Sequence, residues 1–155
     1  MVYSGHSPAG AQLTQLILAC FPFHGALIQA GERLTRPAGL TSARWQILSV
    51  LARADRPETV ANIARIMGLT RQAVQRVVND LAADGFVDFE PNPHHKRALL
   101  VLLTGKGVIA FQSVTSRQVP WANALATEFD GAEIEIATKV LSTLQNLLEA
   151  HVGEQ

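Results

Sequence analysis

The 155 residues are enough for one domain that buries a core of its own. At 48% hydrophobic and 17% charged the chain is apolar for a lone soluble protein, so part of its surface is expected to be covered by a second copy. The formal net charge of zero excludes a globally basic nucleic-acid binder and leaves only a local patch for that purpose.

The start, MVYSGHSPAGAQ, lacks a basic segment followed by an apolar core, so no secretory signal is expected. The single cysteine excludes an intramolecular disulfide and makes a reducing compartment the default, which reads as a cytoplasmic protein. From about Ala9 to Leu34 the pattern predicts a helix that is apolar almost all round. Leu13, Leu16, Ile17, Cys20, Phe23 and Leu27 share one side, and Leu18 and Phe21 another. Its most apolar run, Leu16–Ile28, is too short to span a bilayer, and no membrane partner is expected. Pro22 removes one backbone bond and should kink the helix. Thr35-Arg36-Pro37-Ala38-Gly39 breaks it, and Thr41 caps a second helix through Trp45, Ile47, Leu48 and Leu51.

Two short amphipathic helices follow, TVANIARIMG and LTRQAVQRVVNDLAADG. Val60, Ile63, Ala64 and Met67 fall at i, i+3, i+4 and i+7 in the first, and Val74, Val77, Val78 and Leu81 do so in the second. Gly68 stands where the chain must turn sharply, and Thr70 can cap the second helix. Opposite the valines project Arg71, Gln72, Gln75, Arg76 and Asn79. A guanidinium can fork onto guanine O6 and N7, and an amide can pair with adenine N6 and N7. The same residues would also serve as a plain solvated face.

The next run, FVDFEPNPHHKRALLVLLT, changes that balance. Phe86–Glu90 and Arg97–Leu103 read as strands joined by a turn whose tip carries His94, His95, Lys96 and Arg97. A basic hairpin directly after a recognition-type helix is a winged helix-turn-helix: the helix enters the major groove while the wing reaches phosphate or minor groove. Thr70, Arg71, Gln72, Gln75, Arg76, Asn79, His95, Lys96 and Arg97 are therefore the expected DNA contacts. Beyond the wing, Thr104 caps a helix from Gly105 to about Thr127, interrupted by Pro120. Asp130-Gly-Ala-Glu133 is a capping box that opens the last helix. The fold class expected is mainly α with a small β-hairpin wing. A single domain would cover 1–155, with the winged helix-turn-helix at about 41–104 and dimerisation helices at about 9–35 and 105–152.

The runs GLTSARWQILSVL, TVANIARIMGLTRQAVQRVVNDLAADGFV and NPHHKRALLVLLTGKG together resemble the MarR family of bacterial transcriptional regulators, over nearly the whole chain. The resemblance implies a homodimer of winged-helix protomers, usually a repressor, that binds double-stranded DNA at a pseudo-palindromic operator and often releases it on binding a small molecule. Arg97 matches the family's wing arginine, whereas the acid usual two residues before it is His95 here. An effector site between the terminal helices and the DNA-binding lobe would involve Phe21, His24 and Trp45, and aromatics at such spacing are also ordinary core. Some relatives sense peroxide through a cysteine in the first helix, which makes Cys20 a redox candidate.

Cys20 and His24 stand one helical turn apart, a ligand spacing, yet two groups do not make a metal site, and neither metal nor cofactor is expected. No Gly-rich phosphate loop, His-Glu-x-x-His run or nucleophile elbow occurs, so an enzyme is not expected. A winged-helix protein–protein module remains the other class. The polar Gln72, Gln75 and Asn79 weigh against it, because protein interfaces favour aromatic anchors.

Overall fold

Ser7 opens the first helix, α1 (Pro8–Thr35), by accepting the Gly10 amide on its hydroxyl. Pro8 fills the first position, where no N–H is needed. The computed structural model describes residues 5–95 and 97–152, with side chains as far as residue 150. Pro22 sits inside α1 without ending it. At 28 residues α1 outruns the apolar stretch Leu16–Ile28, and its span to Ala38 is long and apolar enough to cross a bilayer by length and composition alone. The expectation that this region is too short is corrected on that point. Polar Gln12, Gln15, His24 and Gln29 are spread thinly along the helix, so none of them ends the apolar stretch.

A turn of 3-10 helix (Arg36–Ala38) and Gly39, at φ 68°, lead into α2 (Ser42–Arg53). Thr41 caps α2 through the Arg44 amide at 3.3 Å, as expected. The Glu32 carboxylate also accepts the Ser42 amide at 2.8 Å, which ties α1 to the start of α2. The helix-turn-helix pair is α3 (Val60–Met67) and α4 (Arg71–Ala83). Gly68 at φ 63° and the Leu69 amide bonding to the Ala64 carbonyl at 3.0 Å close α3 and turn the chain.

The sheet has three antiparallel strands in the order β1 (Glu58–Thr59), β3 (Leu100–Leu103), β2 (Val87–Glu90), one more than a hairpin. Val87 faces Leu103 and Glu90 faces Leu100 across the hairpin, and Glu58 faces Val101 on the other side of β3. The hairpin is shorter than the sequence suggests. Pro91 and Pro93 have no N–H to donate, so the ladder stops at the Glu90–Leu100 pair and Arg97, Ala98 and Leu99 belong to the loop.

The chain divides into two compact units, Met1–Thr115 and Ser116–Gln155. In the first, Ile47, Leu48, Ile63, Val74, Val78, Leu81, Val101 and Val114 are each at most 1% exposed and form one apolar core. Val114 comes from α5 (Gly105–Ala126), which crosses from one unit to the other. Thr104 caps α5 through the Gly107 amide at 3.1 Å, and its hydroxyl bonds the Gly85 carbonyl at 2.7 Å, joining the wing exit to the end of α4. Pro120, expected to interrupt α5, lies within it. One missing N–H removes a single bond, and the bonds on either side keep the helix continuous.

The second unit holds the end of α5 and the helix α6 (Gly131–Val152). The capping box is formed as expected: the Glu133 carboxylate accepts the Asp130 amide at 2.9 Å, and Asp130 accepts the Ala132 amide at 3.1 Å. Among the described side chains of α6, none is buried.

Candidate nucleic-acid interface

The recognition face is fixed by how α4 is anchored. Val74, Val78 and Leu81 are buried, and Thr70 caps the helix by accepting the Ala73 amide at 3.3 Å. With the valine side inward, Thr70, Arg71, Gln72, Arg76 and Asn79 are exposed and Gln75 is half-buried. Arg71, Gln72, Gln75, Arg76 and Asn79 line one open groove of about 550 Å3. Of the six residues expected to face DNA from this helix and its cap, these five are thus brought together, and Thr70 lies outside that lining.

A second groove, of about 290 Å3, joins that face to the wing. Arg71, Gln75 and Asn79 line it from α4, Arg97, Ala98 and Leu99 from the loop, Phe89 from β2, and Thr59 and Ala61 from the start of α3. Arg97 therefore stands beside the recognition helix rather than at the tip of a long hairpin. Among the described residues that line the two grooves there is no aspartate or glutamate. Arg71, Arg76 and Arg97 have no acidic partner among the described residues. The acids next in sequence, Asp80, Asp84, Asp88 and Glu90, lie outside both linings. A chain of zero net charge thereby keeps a local concentration of positive charge, reinforced by the N-terminal end of α4.

His95 is exposed in the wing turn, where its amide bonds the Asn92 carbonyl and its carbonyl accepts the Ala98 amide. Lys96 lies outside the described residues. The sequence reading did not select Thr59, Ala61 or Arg65. Thr59 caps α3 through the Asn62 amide at 3.2 Å, a Thr-x-x-Asn spacing that could have marked it. Asn62 in turn accepts two bonds from the Arg65 guanidinium, at 3.2 and 2.7 Å, and donates to Glu58. Arg65 is exposed on the same side of α3 as Ala61, one helical turn on.

The remaining candidates fall in other places. Trp45 lines a cavity of about 480 Å3 with Gln46, Ser49, Val50, Arg53, Glu58 and Met67. Its indole N–H is buried without a partner among the described residues. Phe21, 69% exposed, and His24 lie on the open surface of α1 and are not among the residues lining that cavity. Cys20 is a half-buried free thiol on the same helix. Among the described residues no three His, Cys, Asp or Glu side chains come together as metal ligands.

Comparison with known proteins agrees with this architecture. A family model described as MarR family, MarR_2, matches residues 38–98, which include α2 and the whole helix-turn-helix. An uncharacterized protein of Mycobacterium tuberculosis (strain H37Rv) is 37% identical over 139 residues, or 90% of this chain and 96% of that protein. The crystal structure of a MarR/EmrR family transcriptional regulator from Acinetobacter sp. ADP1 is similar at 25% identity and a TM-score of 0.73, over 92% of this chain and 95% of the other. The M. tuberculosis transcriptional regulator MOSR, solved in complex with DNA, shares the fold at 24% identity and a TM-score of 0.70, over 85% of this chain and 96% of its own. Winged architecture, exposed amide-and-guanidinium helix and these matches converge: the chain belongs to the MarR family and is a DNA-binding transcription regulator, not an enzyme.

Proposed function

We propose that the protein acts as a homodimer on a pseudo-palindromic operator, as a repressor that a small molecule can release. One observation carries the DNA-reading part: Arg71, Gln75, Asn79 and Arg97, from two elements, converge on a single groove whose described lining contains no carboxylate. Phosphate and base edges both suit that composition, the guanidiniums for charge and the amides for paired donors and acceptors. Thr70, Gln72, Arg76, His95 and Lys96 complete the contact surface. Apolar side chains on α1 and α6, among them Leu16, Phe21, Leu141 and Leu148, are exposed in a single protomer and support pairing with a second copy. The cavity beside Trp45 supports a place for an effector, and the MOSR complex supports DNA as the partner. A regulator that works on the chromosome belongs in the cytoplasm.

Selection of bound sites from a random duplex pool, followed by titration across salt concentrations, tests this reading. The expected product is two inverted half-sites about 10 bp apart, one turn of duplex. Gln72→Ala should relax the preference at one base pair per half-site, a loss of roughly 1–3 kcal/mol in discrimination. Arg97→Ala should weaken all sequences and lower the salt slope by about one. Selection without enrichment of any sequence, or a Gln72→Ala loss equal on selected and random DNA, would contradict the assignment.

A further inference from the structure

Two of the three side-chain amides of the recognition face are bonded to each other. Gln75 Nε2 donates to Asn79 Oδ1 at 2.9 Å, between side chains one helical turn apart. Both residues line both grooves of the interface, so the pair sits where the helix face meets the wing. We infer that Asn79 is a positioning residue that fixes the Gln75 amide, and that the pair reads one adenine·thymine base pair in each half-site.

The inference follows from what each amide has left. A glutamine side chain has one oxygen acceptor and two N–H donors. With one N–H committed to Asn79, Gln75 keeps one acceptor and one donor side by side. Adenine offers the complement in the major groove, the N6 donor and the N7 acceptor. Guanine offers two acceptors there, which this remaining pattern meets only in part. A free glutamine could turn its amide over and exchange oxygen for nitrogen. With Asn79 Oδ1 as the acceptor the nitrogen lies on the Asn79 side and the oxygen on the other, an arrangement that Asn79→Asp, with oxygens alone, would enforce. Although exposed to water, the bond biases both side chains toward this arrangement before DNA arrives, so less freedom is lost on binding.

The inference rests on the reading that α4 enters the major groove, and the test separates the two. Full-length Gln75→Ala, Asn79→Ala, the double variant and Asn79→Asp are each put through site selection, and affinities are measured on the selected site and on single-base-pair changes of it. Gln75→Ala and Asn79→Ala should both lose about tenfold in preference at the same base pair, an A·T pair. The double variant should lose no more than either alone, because one interaction is being removed twice. Asn79→Asp retains an oxygen to accept from Gln75 and should keep the preference, although its added charge lowers affinity overall. Asn79→Ala and Gln75→Ala acting on different base pairs with additive losses would overturn the inference while leaving the recognition helix in the groove. Unchanged preference at every base pair in all four variants would overturn both.

Discussion

Between Leu40 and Val114 the helices turn their apolar stripes inward, and eight side chains there are essentially sealed from water. The helices at the two ends do the opposite. On α1, Leu13, Leu16, Leu18, Phe21, Phe23 and Leu27 stay exposed, and on α6 so do Ile134, Ile136, Leu141, Leu147 and Leu148. A stripe that meets a partner within its own chain is satisfied by folding, whereas one that does not carries its apolar surface into association. The contrast leaves the winged-helix lobe with a sealed core of its own and the terminal helices with uncovered apolar faces, on which the proposed pairing rests. The sharpest way to break it is Leu141→Asp with Leu148→Asp, two residues seven apart on one face of α6. Both are already exposed in the protomer, so helix content should stay near wild type. Sedimentation should report a monomer, and affinity for a two-half-site operator should fall about 100-fold or more, since the second half-site no longer binds as part of the same assembly. A wild-type protein that already sediments as a monomer, or a variant that still dimerises, would end the comparison.

The lobe can also be attacked at a point that carries no side chain of its own. Gly107, in the first turn of α5, lies against the backbone carbonyl of Phe86, and a methyl group there would be driven into that oxygen. A carbonyl within the lobe cannot swing away as a flexible side chain can. The same oxygen accepts the Thr104 amide at 3.1 Å, so moving it disturbs the wing exit as well. Gly107→Ala should cost about 3 kcal/mol, read as a lower denaturation midpoint. Gly31→Ala is the control: its added carbon meets the Ser42 Oγ at 2.5 Å, a side-chain atom that can rotate. Gly31→Ala should cost less, and equal costs would remove the distinction between the two sites.

How much of this could be read from the sequence depends on how far apart the deciding groups lie. Thr41, Thr70, Thr104 and Asp130 cap their helices as their spacing suggests, because a cap and its amide are two or three residues apart. Gly68 and Gly85 take positive φ for equally local reasons. The valine stripes were legible for the same reason, since periodicity fixes a helix face. Strand length was not. The register of β3 depends on where its partners stop, and the two-residue β1 exists only because Val101 and Leu100 lie beside it. Arg97 was expected on a strand for that reason, and its place beside Arg71 follows from where the ladder ends. The Trp45 cavity draws on α2, β1 and α3, and no local pattern announces such a lining.

The smallest expected effect concerns the rim of the lobe. Arg44, in the first turn of α2, pairs with Asp84 at 2.7 Å across forty residues of sequence. Asp84 follows α4 directly, where a negative charge meets the negative end of the helix dipole. Arg44 offsets that, and so does Lys106, which donates to the Asp84 carbonyl at 2.6 Å with its ammonium 4.5 Å from the Phe86 ring centroid. Half of the Asp84 side chain is nonetheless exposed, at 50% against 21% for Arg44, so water already screens the pair. Arg44→Ala should therefore cost only about 0.5–1 kcal/mol in denaturation, well below Gly107→Ala. That cost should shrink in 1 M salt, where exposed charges are screened over about 3 Å. A loss that is larger and indifferent to salt would mean that Arg44 holds α2 against α4 through packing of its aliphatic stem, and the boundary between sealed core and solvated rim would have to be drawn one layer farther out.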